Sequence, residues 1–184
     1  MVLSIAAGIR LQDLARWLKG HAKLVRCMPN TPALIGAGVT AAYATPQITG
    51  DEHALATRIL QTMGKLIWVE SEALLDPVTA ISGSGPAYVF YFIEALEAGA
   101  RELGLTAEAA RTLALETFLG AAKLAAGSSD DPATLRAKVT SKGGTTEAAL
   151  AVLAREEVMA IMGRAVQAAN ARAHELGELL GRDG

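Results

Sequence analysis

The stretch Thr140 to Leu150 reads TSKGGTTEAAL, with four hydroxyl side chains, a lysine and a glycine pair in one short break. Alanine- and leucine-rich sequence flanks it on both sides. A glycine pair that opens a helix leaves backbone N–H groups unpaired and sterically open. Together with the positive end of the helix dipole, these groups favour an anion. Gly143 and Gly144 let a backbone approach closely because no side chain intervenes. Ser141, Thr145 and Thr146 add hydroxyls that could bond a ligand or cap the helix. The chemistry that fits is the holding of a small carboxylate or phosphate. An ordinary flexible connection with a threonine cap fits the same residues, and both readings stand at this level.

Two other stretches carry similar potential. In SGSGP, Ser82 to Pro86, Gly83 and Gly85 permit a helix start to pack closely against another helix or a ligand, with packing the more common use. In PNTP, residues 29–32, Asn30 offers a donor and an acceptor suited to an amide such as a nicotinamide carboxamide. The motif follows a strand candidate, and ligand crevices of α/β sheets lie at the carboxyl ends of strands. A rigid turn is the plainer explanation.

The elements that must position these residues follow from hydrophobic spacing. Residues 2–6 form a short apolar run that stops at Ala7-Gly8, a buried strand. Leu11, Leu14, Ala15 and Leu18 share one face of a short helix over 11–19. Strands are expected at 24–28, 38–43 and 66–69, with a helix over 51–63 between the last two. After residue 76 nothing strand-like follows. Pro86 suits the first turn of a helix that ends before Gly104. Thr106 suits the cap of a helix reaching Ala126 and Gly127. Asp131-Pro132 starts a short helix through Val139, and one helical stretch is expected from Glu147 to Leu180. The fold class is therefore α/β then all-α, with residues 1–75 and 76–184 as the two parts.

Composition narrows the function. The 184 residues are 51% hydrophobic and only 4% aromatic, which favours closely packed helices. The net charge of −2 without a basic tract argues against nucleic acid as partner. Cys27 alone makes no disulfide, and His21, His53 and His174 show no metal-ligand spacing, so no metal is expected. The longest uncharged run, Cys27 to Gly50, is broken by Pro29, Pro32 and Pro46, which speaks against a membrane span. The first residues lack a basic leader and are too short for a secretory signal. A reducing cytoplasm is the expected location.

Taken together, SIAAGI (4–9), VRCMPNTPALIGAGVTAAYA (25–44), DPVTAISGSGPAYVF (76–90) and TSKGGTTEAALAVL (140–153) resemble pyrroline-5-carboxylate reductase in order and spacing along essentially the whole chain. The resemblance implies a Rossmann-type sheet followed by a helical domain that interlocks with a partner subunit, giving a homodimer and, beyond it, a ring of dimers. It implies hydride transfer from NADPH or NADH to the cyclic imine 1-pyrroline-5-carboxylate, giving L-proline. It also implies that Ser141, Gly143, Gly144, Thr145 and Thr146 bind the substrate, its carboxylate held through backbone amides. Thr146 then lies near the ring nitrogen as the catalytic candidate. Ala6, Ala7, Met28, Asn30 and Thr31 lie along the nicotinamide end of the cofactor.

Three departures qualify this. The family usually has proline where this chain has Lys142, and often a glycine pair where it has Arg155-Glu156-Glu157. The GxGxxG phosphate loop expected of the family occurs nowhere in the sequence, which resembles only the later part of the Rossmann domain. Two alternatives remain in view: a non-catalytic helical dimerisation fragment, and a 3-hydroxy-acid-type dehydrogenase of related architecture. The latter usually relies on a helical lysine that has no convincing counterpart here.

Overall fold

The computed structural model describes residues 1–181. Four strands form one sheet in chain order: β1 (Val2–Ser4), β2 (Leu24–Met28), β3 (Gly38–Ala44) and β4 (Gly64–Trp68). β1 runs parallel to β2, and β3 parallel to β4, but β2 and β3 are antiparallel. The reversal has a local cause. Only residues 29–37 join β2 to β3, too few for the crossover that parallel neighbours need. They form a 3-10 helix, Thr31–Ile35, which stops at Gly36 in a left-handed conformation (φ 70°).

Alternation along the strands divides the sheet into two faces. One face gathers Val25, Cys27 and Ala42 around Leu60 of α2 (Gly50–Gln61), with Leu3, Met63, Leu66 and Trp68 at its margin. Burial pushes the Cys27 thiol up to about 12, which favours the neutral thiol, and it packs as a small apolar residue. α2 opens with a reciprocal cap between Thr49 and Glu52, a T-x-x-E signature present in the sequence. The Thr49 backbone bond, with Lys23 beside it, holds the Glu52 carboxyl down at about 2.

The other face presents Arg26, whose side chain is 5% exposed and whose guanidinium meets Glu72 at 3.1 Å and Asp76 at 3.8 Å. These carboxylates belong to a continuous helical path. A 3-10 turn (Glu72–Leu74) leads into α3 (Leu75–Val78) and a π-helical turn (Thr79–Gly83), followed by α4 (Gly85–Glu102). Glu72 also accepts from the Leu11 N–H at 2.7 Å. It thereby supplies the cap that Arg10 does not give to α1 (Leu11–Trp17).

Residues Met1–Pro86 and the described residues from Arg164 make one compact unit, and Ala87–Gly163 another. In the first unit, the end of α8 (Val158–Leu180) rests on α1 through small residues. A Cβ at Gly177 would stand 2.9 Å from Arg10 Nε, and one at Gly181 2.6 Å from Asp13 Oδ2. Among the described residues strands end at Trp68, so the α/β then all-α order holds, and the compact units divide at other points in the chain.

The second unit contains α5 (Ala107–Ala126), α6 (Pro132–Lys138) and α7 (Thr145–Arg155), with the adjoining parts of α4 and α8. Thr106 and Asp131 cap α5 and α6 as expected, each accepting a backbone N–H three residues on. Several boundaries shift. β1 ends at Ser4 rather than residue 6, α1 ends at Trp17, and β4 starts at Gly64 and ends at Trp68. The single helical stretch expected over 147–180 is two helices. Helical spacing continues across the junction, which is why periodicity alone missed the break. Glu157 makes the turn with φ 52°, a left-handed conformation that is strained for a side-chain-bearing residue.

That strain gives a test. Replacing Glu157 by glycine should stabilise the chain by about 1 kcal/mol, raising Tm by about 2–4 °C for this size. A thermal melt of Glu157→Gly that falls below wild type would mean the side chain contributes more than the backbone strain costs.

Candidate active site

The carboxyl ends of β1 and β2 bring together the residues expected at the nicotinamide end of a cofactor. The parallel register sets Ser4 beside Arg26, so Ala6 and Met28 leave the sheet at the same edge. Ala6, Ala7 and Thr31 are exposed, while Met28 and Asn30 are half-buried. The side-chain oxygen of Asn30 accepts from the Val39 N–H at 2.9 Å. Its structural role is therefore a latch that closes the Pro29–Ala37 turn onto the start of β3. The amide NH2 of Asn30 has no protein partner among the described residues and is free to donate.

Met28 connects this edge to SGSGP. A Cβ on Gly83 would lie 2.7 Å from Met28 Cε, so the glycine admits the methionine tip against the π-helical turn. Gly85, by contrast, has open space around it. Close packing is what Gly83 is for, and the packed object is the end of β2. The π turn lengthens the helical path by one residue per turn, as the Ser84 N–H to Thr79 oxygen bond at 2.9 Å records. No sequence signal marked it.

In the second unit, the loop before α7 has the form suited to an anion. Gly144 is the N-cap, so neither Thr145 nor Thr146 caps the helix; they occupy its first two positions. The Thr145, Thr146 and Glu147 N–H groups have no acceptor among the described residues. These are the orphan donors of a helix start. Gly143 holds φ 71°, which only glycine adopts without strain. At Gly144, a Cβ would meet the Ser141 hydroxyl at 2.5 Å, so the glycine admits that oxygen against the helix start. The Gly144 N–H donates to the Ser141 carbonyl at 3.0 Å and closes the turn. Thr146 is half-buried, and Ser141, Gly143 and Thr145 are exposed.

One participant was not singled out from sequence. Glu147 accepts from the Gly143 N–H through Oε2 at 2.6 Å. The signal was present in GGTTE, where the glutamate stands three residues after the N-cap glycine. Lys142 is exposed beside this loop. Among the described residues no His, Cys, Asp or Glu group could hold a metal, and no helix is long and apolar enough to cross a membrane.

A family model for pyrroline-5-carboxylate reductase dimerisation matches residues 72–176. Pyrroline-5-carboxylate reductase of Pseudomonas aeruginosa is 43% identical over 182 residues, covering 99% of this chain and 67% of that protein. The Synechocystis enzyme of the same name is 44% identical over 97% of this chain and 66% of its own length. A solved structure of a pyrroline-5-carboxylate reductase from Coxiella burnetii superimposes with a TM-score of 0.91 at 42% identity, over 95% of this chain and 65% of that one. The Plasmodium falciparum pyrroline carboxylate reductase, solved with NADP bound, gives 0.90 at 29% identity over 96% of this chain and 70% of that one. The chain thus spans about two thirds of the length of the curated relatives it matches. Matched by the family model over more than half its length and by these relatives over nearly all of it, the chain belongs to the pyrroline-5-carboxylate reductase family.

Proposed function

We propose that this chain supplies the substrate-binding part and the nicotinamide end of a reductase that converts 1-pyrroline-5-carboxylate to L-proline. The observation that carries the proposal is the start of α7, where three unpartnered N–H groups follow a glycine pair and Thr146 is half-buried at the second helical position. Relatives named for this reaction support the choice of a five-membered cyclic imine carboxylate as ligand.

When bound, a reduced nicotinamide supplies the hydride that the imine carbon takes up. The NADP-bound relative supports NADPH as donor, with NADH as the other candidate. The residues fit that end of the cofactor. Ala6 and Ala7 are small and exposed, and the free NH2 of Asn30 is placed to bond a carboxamide oxygen at the strand ends. Backbone amides at Thr145 and Thr146 hold the substrate carboxylate, with Ser141, Gly143 and Gly144 shaping the loop. An alcohol is too weak an acid to deliver a proton at neutral pH unaided. Thr146 therefore orients a ring nitrogen that is already protonated, or relays a proton from water.

The proposal extends to assembly as a homodimer, and to a ring of such dimers. Its support is the second unit, which exposes Phe90, Tyr91, Leu113, Leu119, Leu124, Val152, Leu153 and Met159. Apolar surface on this scale marks an interface. Light scattering at micromolar concentration should return a dimer or larger; a monomeric mass would end this part of the proposal.

Two substitutions test the site. Asn30→Asp keeps an acceptor for the Val39 N–H but removes the free NH2, so the melt should hold while nicotinamide cofactor binding weakens. Asn30→Leu also orphans the Val39 N–H and should cost about 1–3 kcal/mol of stability. Equal cofactor affinity in wild type and Asn30→Asp would remove Asn30 from the cofactor site. Thr146→Val should leave L-proline binding by the 184-residue chain nearly unchanged. In a chain extended upstream through a GxGxxG segment, it should lower turnover about 10- to 100-fold, the equivalent of one lost hydrogen bond to a charged group. Unchanged turnover would remove Thr146 from the mechanism, and no L-proline binding by wild type would remove the loop.

A further inference from the structure

We infer that Glu147 is a positioning residue for the substrate carboxylate, an inference that rests on the proposed role of the α7 loop. Its side chain turns back one turn and accepts the Gly143 N–H at 2.6 Å, the distance of a charge-assisted bond. In the usual reciprocal cap, a glutamate three residues into the helix returns to the N-cap N–H, and an N-cap hydroxyl answers it. Here the N-cap is Gly144, which has no hydroxyl, and its N–H is already taken by the Ser141 carbonyl. Glu147 therefore reaches one residue further, to Gly143.

The consequence is geometric. Gly143 sits at φ 71°, and nothing lies within 4 Å of the position a Cβ would take. No packing contact at that position holds its conformation. Among the described residues, the Gly143 amide is fixed by the Glu147 carboxylate alone. Gly143 is also the pivot whose dihedral angles set where the following backbone points. The same carboxylate satisfies one amide and so divides the loop's donors into two sets. Gly143 N–H serves the protein, and the Thr145 and Thr146 N–H groups remain for the ligand. Gly143 then contributes conformation to the site, and its own amide is withheld from the substrate.

A carboxylate beside an anion site invites the opposite expectation, that Glu147 occupies the cradle and competes with substrate. The two roles have opposite signs on removal. If Glu147 positions the loop, Glu147→Ala should weaken L-proline binding to the 184-residue chain about tenfold, as expected for a lost hydrogen bond to a charged group. Glu147→Gln, whose amide oxygen still accepts from Gly143, should bind within about threefold of wild type. Tighter binding by Glu147→Ala would overturn the inference in favour of competition, and unchanged binding would overturn it outright. A merely structural role would lower the melting temperature without the rescue of affinity by glutamine.

A second measurement needs no ligand. Amide hydrogen exchange at Gly143 should accelerate in Glu147→Ala and stay slow in Glu147→Gln. Exchange at the wild-type rate in Glu147→Ala would show that the contact does not order the loop, and would likewise overturn the inference. If wild type binds no L-proline while Gly143 exchange responds as expected, the staple exists but the substrate reading fails, and Glu147 positions no substrate. That pattern separates the two failures.

Discussion

The first unit depends on the burial of one guanidinium. Arg26 lies in β2 with its side chain almost wholly out of water. A buried charge persists only where opposite charge and hydrogen bonds meet it, and removing one partner of such a cluster costs several kcal/mol. Glu72 and Asp76 therefore have to face this strand, and that requirement sets where the helical path from residue 72 to residue 83 lies. Glu72 further ties the first N–H of α1 into the same cluster. Asp76 extends it to α8, where His174 Nδ1 stands 3.4 Å from its carboxylate. One ionic contact thus sets strand, helix start and returning helix in a common frame.

That frame reaches the proposed cofactor edge through packing. With residues 72–83 held over the Arg26 face, Gly83 comes against Met28, the last residue of β2. The π turn places the glycine there, and any larger residue would have to push the methionine tip aside. Met28, the Asn30 latch and the exposed alanines after β1 then form one edge, ordered by a sheet register and one side-chain acceptor. The residues proposed to touch the nicotinamide are small or backbone-like, and their placement is inherited from charges and contacts behind them.

Sequence and structure agree where a local rule is strong. Thr106 and Asp131 have the side chains that helix starts demand, and both caps are present. The strands at 24–28 and 38–43 were legible from apolar runs bounded by Pro29 and Gly36. The break at Glu156-Glu157 was not legible from periodicity, because a glutamate in a left-handed turn violates the propensity used to find such turns; only the family resemblance pointed to Arg155-Glu156-Glu157. The antiparallel step between β2 and β3 depends on counting the residues between them, which alternation does not report. In the α7 loop, spacing located the glycine pair and the threonines, yet their roles as N-cap and first helical positions emerged only with backbone geometry. The bond from Glu147 to Gly143 had a local signal, a glutamate three residues after the N-cap glycine, but its use depended on knowing that Gly144 is the N-cap.

The proposed chemistry explains why so much of the site is backbone. Hydride transfer between two bound molecules asks the protein for orientation more than for acids and bases. Orientation of a carboxylate is done well by N–H groups at a helix start, because their direction is fixed by the helix and costs no side-chain entropy. Such donors carry no residue identity, so the sequence signature falls on whatever shapes them: the glycine that must turn left-handed at 143, and the glycine at 144 that admits the Ser141 hydroxyl. Thr146 is the exception, since a hydroxyl cannot be replaced by backbone. A loop built this way is sensitive to the one flexible joint in it. At Gly143 that joint is held from outside the backbone by the Glu147 carboxylate, whose charge must coexist with a substrate of the same sign. In the proposed arrangement the coexistence is tolerable because each carboxylate has its own N–H partner, and the helix dipole adds a favourable field for both.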